Sequence, residues 1–392
     1  MSSSDEPKLP QDVIVEILKR LPVESLLRFR CVSRSWRSAI DDPRFVALHL
    51  NHSALDASNW YLLCVNLWDP VQRLCSLFSN ESLTLPPKSQ IEIPFVTLPY
   101  CYGGVDGSCN GLICITEIFR HGCPEIKTMY LWNLFTRKHK EVPRSGLEHR
   151  SLSVSVGFGF DARSNDYKIV RIFYVLKYNG GFLPKKKKKR TTPQPQVEIY
   201  SLSTDSWRSL ECEVPTLRRG DRAVFLNGNL HWFAYKFDDL GNEVGYGSIV
   251  LFDVAGEVFD EMAPPEEMSH EDGLDNLIMS VAVLNDLLAV IISVSGTVDD
   301  PEPHFVCSVR VWVMREYGVP ETWTKLYSSE TSGEEALGEV LQIDGFTRNG
   351  KLVMEIDDKE RVFWNPITGQ YANIPISKQC DLVTVVESLV SL

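Results

Sequence analysis

Few residue patterns in this chain could do chemistry by themselves. Residues 157–162 read Gly-Phe-Gly-Phe-Asp-Ala, which fits the GxGxxA spacing of a turn that cradles a dinucleotide pyrophosphate. Such a turn must lead into a helix, because the helix N-terminus binds the phosphates. Here a polar turn at 163–166 is followed by a β-type run at 167–175. The sequence therefore predicts no dinucleotide site.

Metal-binding and nucleophilic patterns are also incomplete. His270-Glu271 lacks the second histidine of a zinc protease motif, the ten cysteines contain no CxxC pair, and no GxSxG elbow occurs. With no export signal behind the first residues, we expect the cysteines to be reduced core thiols. No catalytic residue, cofactor or metal site is predicted, and we do not expect an enzyme.

The charge pattern bears on the kind of partner. The net charge of −12 disfavours nucleic acid, whose phosphates attract basic surfaces. One basic run, Lys185–Arg190, lies between Gly180-Gly181 and Pro193-Gln194-Pro195, which predicts a basic loop at 180–196. A solvated excursion, a nuclear import address, a patch for an acidic partner and ubiquitin-accepting lysines remain open for this run.

Length and composition indicate a globular chain of two unequal units. It has 392 residues, of which 44% are apolar. Residues 1–8 are short, polar and acidic, and we expect them to be disordered. The longest apolar stretch, near Val281–Val294, includes Asn285 and Asp286 and is too short to cross a bilayer. We expect a cytoplasmic protein without a membrane contact, and a nuclear location remains open.

The elements that would position functional groups differ along the chain. From Leu9 to Leu50 the apolar spacing is helical, with Pro22 between the first and second helices. A third helix is predicted to stop at Asp41-Asp42-Pro43. The sequence predicts a three-helix unit over residues 9–50.

This unit has more apolar surface than three short helices can bury. A helical unit of about forty residues seldom sustains a core without disulfides, metal or association. We therefore expect part of its apolar face to bind another protein. The alternative is that this face packs onto the rest of the same chain.

The remaining residues, 51–392, repeat a strand-rich unit. Asn-Gly or Asn-Asp turns precede strands, and a second apolar unit is centred on residues 132, 200, 252, 312 and 364. A period of roughly fifty residues with several strands per unit is typical of a β-propeller. Trp60–Phe78 could supply another blade and Leu382–Val390 a strand that closes the ring, giving about six blades. A pair of β-sandwiches is the alternative fold.

The helical unit resembles an F-box of the plant type. The resemblance rests on LPQDVIVEIL at 9–18, LPVESLLRFRCVS at 21–33, and on Trp36, Ile40, Pro43 and Phe45. It implies a module that docks on the Skp-type adaptor of a cullin-RING ubiquitin ligase, with Trp36 inside the helical core. The residues that it implies for the adaptor contact are Leu9, Pro10, Ile14, Ile17, Leu18, Leu21, Pro22, Leu26 and Leu27.

The strand-rich unit resembles the plant F-box-associated, kelch-like domain. The similar strings are GSCNGLIC at 107–114, GFGFD at 157–161 with NDYK at 165–168, and VEIYSL at 197–202. YLLC at 61–64 and SLFSNE at 76–81 look most like the S-locus F-box group of pollen self-incompatibility. The resemblances imply the substrate-recognition subunit of an SCF (Skp-cullin-F-box) E3 ubiquitin ligase, with substrate-binding residues unknown. A non-degradative scaffold and a propeller enzyme remain alternatives.

The predicted substrate module is acidic. Residues 1–45 hold 8 basic and 7 acidic side chains, which leaves 32 against 45, or −13, for residues 46–392. Such a field favours encounter with a basic protein. We therefore expect a basic substrate, which agrees with the secreted ribonucleases (S-RNase-like proteins) that the S-locus resemblance implies.

Overall fold

The structure is a computed structural model that describes most of the chain. The described residues are 10–66, 74–79, 89–95, 101–119, 126–146, 151–175, 195–215, 217, 222–237, 243–266, 276–299, 303–332, 338–357, 361–374, 376 and 380–392. The predictions for residues 1–8, for Leu9 and for the run Lys185–Arg190 lie outside these residues. Of the basic loop predicted at 180–196, residues 195 and 196 are described, and they begin a strand.

Four helices form the N-terminal bundle, one more than predicted. They are α1 (Gln11–Leu18), α2 (Val23–Phe29), α3 (Arg34–Ile40) and α4 (Pro43–Leu55). A single 3-10 turn, Ala57–Asn59, leads from the bundle into the first strand.

The fourth helix starts where the sequence predicted a stop. Pro43 is its first residue, a position where the missing N–H costs nothing, and the Asp42 carboxylate accepts a hydrogen bond from the Arg44 N–H at 2.8 Å. The Asp-Pro signal therefore ends one helix and begins another. Because α4 continues to Leu55, helical structure extends five residues beyond the predicted limit at residue 50.

Six four-stranded antiparallel sheets follow, which confirms the six-bladed propeller. Blade one consists of β4 (Cys101–Cys109), β5 (Leu112–Phe119), β6 (Ile126–Asn133) and β7 (Lys138–Val142). Blade two consists of β8 (Ser151–Asp161), β9 (Asp166–Val175), β10 (Pro195–Ser201) and β11 (Ser206–Leu210). Blade three consists of β12 (Val224–Leu226), β13 (Asn229–Phe237), β14 (Glu243–Asp253) and β15 (Val258–Met262).

The other three blades complete the ring. Blade four consists of β16 (Asn276–Leu284), β17 (Leu287–Asp299), β18 (Pro303–Met314) and β19 (Trp323–Ser332). Blade five consists of β20 (Val340–Phe346), β21 (Leu352–Ile356), β22 (Arg361–Trp364) and β23 (Tyr371–Asn373). Blade six combines β24 (Asp381–Val386) with β1 (Trp60–Val65), β2 (Leu74–Ser79) and β3 (Ser89–Glu92).

Blade six closes the ring by pairing the two ends of the propeller. Its innermost strand β24 pairs antiparallel with β1, from Trp60 opposite Val386 to Val65 opposite Asp381. This confirms that the C-terminal apolar segment supplies a closing strand, which removes an exposed sheet edge. The strand is shorter than predicted, because it ends at Val386 and residues 387–392 continue without strand structure.

The sequence repeat has a direct structural meaning. The five centres of the second repeated unit all lie on the third strand of a blade, where each pairs with an apolar residue of the second strand, as Trp132 does with Ile113. In the first repeated unit, Asn110 and Gly111 have φ angles of 53° and 80° and form the two-residue turn between β4 and β5. The positive φ angles suit a hairpin of right-handed twist.

The GxGxxA string serves packing between blades two and three. It ends β8 and is followed by a turn and β9, as predicted. A Cβ atom on Gly157 would lie 2.7 Å from side-chain atoms of both Leu230 and Trp232 in blade three. The missing side chain therefore allows the two sheets to approach closely.

A buried ionic cluster joins the same two blades. Lys168 Nζ lies 2.8 Å from Asp161 Oδ2, 2.9 Å from Glu257 Oε1 and 2.9 Å from the Val254 carbonyl oxygen. The lysine and Asp161 are both buried. The Asp161 carboxylate also accepts the backbone N–H of Arg163 at 2.9 Å, and although burial opposes ionisation, the lysine and these bonds keep its pKa well below the usual range.

Candidate functional site: the helical surface, its joint and the propeller channel

The predicted adaptor-contact residues divide into an exposed and a buried group. Leu9 lies outside the described residues. Pro10 and Pro22 are exposed, Ile17 is 49% exposed, and Ile14, Leu21 and Leu27 are half-buried. Leu18 and Leu26 are buried, with exposed fractions of only 2% and 0%.

Leu18 and Leu26 belong to the internal core of the bundle. They pack with Val23, Ile40 and Phe45, and with Leu389 from the end of the chain. The apolar stripe could not separate these residues from the exposed ones, because helices this short place neighbouring apolar side chains on both of their contact faces. In this structure Leu18 and Leu26 therefore face the interior of the bundle, and the adaptor contact stays a prediction for all the residues named for it.

Five exposed apolar residues of the bundle lie outside the predicted adaptor contact: Val13, Phe29, Val32, Leu48 and Leu55. Val13 lies one turn before Ile17 on α1, so their side chains share a face. Phe29 ends α2 and packs edge-on against Trp36 with ring centroids 5.3 Å apart, while Val32 beyond it is 71% exposed. Trp36 is half-buried against the bundle core, close to the internal place predicted for it.

The turn between α1 and α2 is held from two sides. His49 of α4 bonds through Nε2 to the Leu21 carbonyl oxygen at 3.0 Å, and burial lowers the pKa of this histidine. The Val23 N–H donates to Glu387 Oε1 at 2.7 Å. Pro22, between the two bonded residues, faces outward. The exposed turn is therefore fixed by α4 and by the C-terminal segment.

The C-terminal segment, residues 387–392, also binds blade one. Asn133 Nδ2 donates to the carbonyl oxygens of Ser388 and Val390, at 3.1 Å and 2.8 Å. Val390 packs into the core between blades one and two. Phe135, which follows Asn133, contacts the bundle core as well. The bundle and the propeller therefore share one continuous contact.

The propeller encloses a central channel with a cavity of about 680 Å³. The innermost strands β4, β12, β16, β20 and β24 line it, together with the turns at one end. The lining is mixed, with apolar side chains such as Ile278 and Leu382 beside polar ones such as Ser280 and Gln342. A volume of this size would hold a small molecule.

Charged side chains meet in this channel and bind one another. Arg222 forms an ion pair with Asp381, whose other oxygen accepts the Val105 N–H at 2.8 Å. Asp344 is paired with Arg361 through Nε at 3.0 Å. Burial raises the pKa of Asp344 to about 6 even so.

Asp106 is a further carboxylate in the lining of the channel. It accepts a hydrogen bond of 2.5 Å from the Thr116 hydroxyl. Burial raises the pKa of Asp106 to about 6, with the nearby Asp381 carboxylate adding to the effect. The sequence predicted none of these residues, since their proximity arises from strands up to 275 residues apart.

Cysteine thiols and His231 are further reactive side chains among the described residues. The eight cysteines whose side chains the structure describes are free thiols, and six of them are buried. His231 is buried between the Val224 carbonyl oxygen and the Tyr317 hydroxyl, which lies 2.8 Å from Nε2. Across the described ranges no three potential metal ligands come together. None of the helices in that part of the chain has the length and apolar content to cross a membrane.

Comparison with known proteins identifies both units. Residues 105–344 match the family described as F-box associated beta propeller domain, and residues 7–48 match the F-box domain. The chain therefore belongs to the family of F-box proteins with an F-box associated beta propeller domain.

Curated relatives span most of the chain. The Arabidopsis thaliana F-box protein At3g07870 is 26% identical over 401 residues, covering 93% of this chain and 87% of its own. The F-box/kelch-repeat protein At3g23880 of the same plant is 26% identical over 332 residues, covering 82% and 79%. The F-box protein CPR1, also from Arabidopsis thaliana, is 26% identical over 340 residues, covering 82% and 72%.

Proposed function

We propose that this chain is the substrate-recognition subunit of an SCF E3 ubiquitin ligase. The F-box would bind a Skp-type adaptor through the exposed residues around Ile17 and the Leu21-Pro22 turn, and the propeller would bind a protein substrate. The observation that carries this proposal is the apolar exposure of α1, where Val13 and Ile17 face solvent side by side. Apolar patches of this kind mark protein interfaces.

The mechanism of such a subunit is proximity. Held beside a ubiquitin-charged enzyme, a bound substrate presents its lysines at high effective concentration, so the receptor needs no catalytic group. The ion pairs of Arg222 with Asp381 and of Asp344 with Arg361 agree with this view, since these charges are engaged within the protein. We therefore infer no catalytic role for the propeller.

The adaptor contact is tested by one substitution on each unit. Ile17→Asp places a charge where a partner would exclude water, which should cost several kcal/mol of binding. Ile367→Asp is the matched control, because Ile367 is 78% exposed on the turn between β22 and β23. In a pull-down with a purified Skp-type adaptor, we expect loss of binding for Ile17→Asp and full binding for Ile367→Asp. Equal retention of both variants would contradict the proposed contact.

The substrate proposed is a basic protein. The net charge of −13 for residues 46–392 supports it, since an acidic surface accelerates encounter with a basic partner. A basic secreted ribonuclease, as implied by the S-locus resemblance, is one candidate of this class. Its affinity for the intact protein should fall steeply as salt is raised, and an affinity that is independent of salt would count against a basic substrate.

Turnover separates a degradation receptor from a scaffold. In cells that express the full chain, the abundance of a captured substrate should rise when the proteasome is inhibited. The Ile17→Asp variant provides the control, because it should bind the substrate without delivering it to the ligase. Equal substrate levels under all conditions would favour the non-degradative scaffold.

A further inference from the structure

The F-box bundle is completed by the last residues of the chain. Val23 is the first residue of α2, and its N–H has no acceptor within the helix. Pro22, at the N-cap, contributes no side-chain bond, and Glu387 supplies the acceptor from 364 positions away. A carboxylate in this place also suits the positive end of the helix.

Successive residues of the C-terminal segment bind alternately to the two units. Glu387 and Leu389 contact the bundle, where Leu389 is buried with Leu18, Leu26 and Phe45. The carbonyl oxygens of Ser388 and Val390 bind Asn133 of blade one. Ser388 also packs against the β4–β5 turn. A Cβ atom on Gly111 of that turn would lie 2.4 Å from the Ser388 Cβ, so this close approach requires glycine.

The segment adds a second connection between the units. The first connection is the chain itself, through Ala57–Asn59, where the Glu387 N–H donates to the Asn59 carbonyl oxygen at 2.9 Å. A single short linker normally leaves two domains free to reorient. Two connections that meet at one point, with a buried apolar residue between them, restrict that motion.

We propose that residues 387–392 form a strut that fixes the orientation of the adaptor-binding surface relative to the propeller, with Glu387 as its positioning residue. The inference rests on the proposed function, because orientation matters where a bound substrate must be held at a set distance from the transferring enzyme. The strut acts through the α1–α2 turn: it holds the inner side of Val23, and the outer side at Pro22 stays open for the adaptor.

Residue-resolved hydrogen exchange tests the first half of the proposal in the full chain. Protection of the Val23 amide depends on Glu387, because no helical acceptor is available to it. We expect exchange at Val23 to be roughly tenfold faster in Glu387→Ala, since hydrogen bonds to charged groups are among the stronger ones. Glu387→Gln retains an acceptor oxygen and should restore most of the protection. Ser391→Ala is the control within the same segment, because it removes only the exposed hydrogen bond that Lys138 of blade one donates to Ser391. It should leave the exchange rate of the Val23 amide unchanged.

Distance measurements test the second half. Spin labels on unnatural amino acids at Ser38 in α3 and Thr368 in blade five, both exposed, avoid the native cysteines. With the adaptor bound, Glu387→Ala/Leu389→Ala should broaden the distance distribution by about twofold relative to the parent chain. Adaptor affinity should change by less than about threefold, because the exposed contact is untouched. Glu387→Gln alone should give the parent distribution.

The outcomes separate the two proposals. An unbroadened distribution in the double variant, with the adaptor bound and α2 folded, would overturn the strut and leave the adaptor contact standing. Failure of the parent chain to bind any Skp-type adaptor would overturn the proposed function, while the exchange and distance measurements would still report on the strut. If the double variant does not fold, Glu387→Ala alone decides: a parent-like distance distribution beside faster Val23 exchange rejects the strut.

Discussion

The helical bundle and the propeller differ in the kind of side chain that each places in an unfavourable environment: apolar groups in water or charged groups in the interior. Six of the ten large apolar side chains that are most exposed within the described residues belong to the first 55 residues, although the propeller is several times larger. The propeller instead keeps charged groups away from water, as with Lys168 between blades two and three and Asp344 in the channel. One unit exposes apolar surface, and the other buries ions.

This difference indicates what each unit needs. Apolar exposure costs free energy in the isolated chain and is recovered on binding, so the bundle is built for a partner. Buried ion pairs contribute little net stability, yet breaking one is costly, so they fix how neighbouring blades meet. We expect substitutions in the two units to fail in different ways.

The largest effect should come from Leu26→Asp. A charge in the bundle core, where Leu26 has no exposed surface, should lower the free energy of unfolding of the bundle by at least about 4 kcal/mol. Ile17→Asp should change it by less than about 0.5 kcal/mol, because Ile17 already contacts water. Denaturant unfolding followed by far-UV circular dichroism checks both. If the two variants were equally destabilised, the division of this surface into buried and exposed halves would be wrong.

Lys168→Met should have the next largest effect. It leaves the buried Asp161 carboxylate without its cation, while Glu257 keeps its ion pair with Arg208, and this should cost about 3 kcal/mol of propeller stability. The paired change Lys168→Met/Asp161→Asn removes the unpaired charge and should recover part of the loss. Thermal unfolding of the three proteins measures this, and a loss below about 0.5 kcal/mol in the single variant would indicate that the cluster is solvated.

Gly157→Ala should act through shape alone. Its new methyl group would meet Leu230 and Trp232 at 2.7 Å, and relief of that overlap should cost about 2 kcal/mol. Gly146→Ala is the control, because nothing lies within 4 Å of a Cβ atom there. Similar melting temperatures for the two variants would show that blades two and three can separate without cost.

Periodic features of this molecule could be predicted from the sequence. The spacing of Trp132, Tyr200 and Phe252 indicates a repeated third strand, because each blade packs a large apolar side chain at the same position of that strand. The bundle followed from apolar spacing, although the Asp-Pro signal predicts only the end of a helix and Pro43 also begins α4. Local signals of this kind depend on a few neighbouring residues.

Contacts between distant segments could not be predicted. Nothing near Glu387 in the sequence indicates that it caps a helix beginning at Val23. Likewise, nothing near Asp106 indicates that the Asp381 carboxylate lies close to it in the fold. Leu18 and Ile17 are adjacent and both apolar, yet Leu18 is buried against the other helices and Leu389, while Ile17 is exposed. Which residues form the candidate surface is therefore decided by how the helices pack together, with Leu389 completing their core.

The smallest expected effect concerns the pH dependence of the channel. The pKa of Asp106, raised to about 6 by burial, exceeds that of an unfolded aspartate, so the folded protein keeps a proton that the unfolded chain has lost between about pH 4 and pH 6. The contribution of Asp106 to the stability of the folded protein is therefore fully present below pH 4 and is lost as the pH rises through 6. Asp106→Asn keeps an acceptor oxygen for Thr116 but cannot ionise. The difference in free energy of unfolding between this variant and the parent chain should be about 1 kcal/mol larger at pH 7.5 than at pH 4. This is less than the roughly 2.4 kcal/mol that the full pKa difference would give, because Asp106 is only half-buried and water screens its charge. A difference between the two proteins that stays constant from pH 4 to pH 7.5 would mean that the carboxylate ionises as freely as one at the surface, and the propeller would no longer differ from the bundle in burying charge at this point.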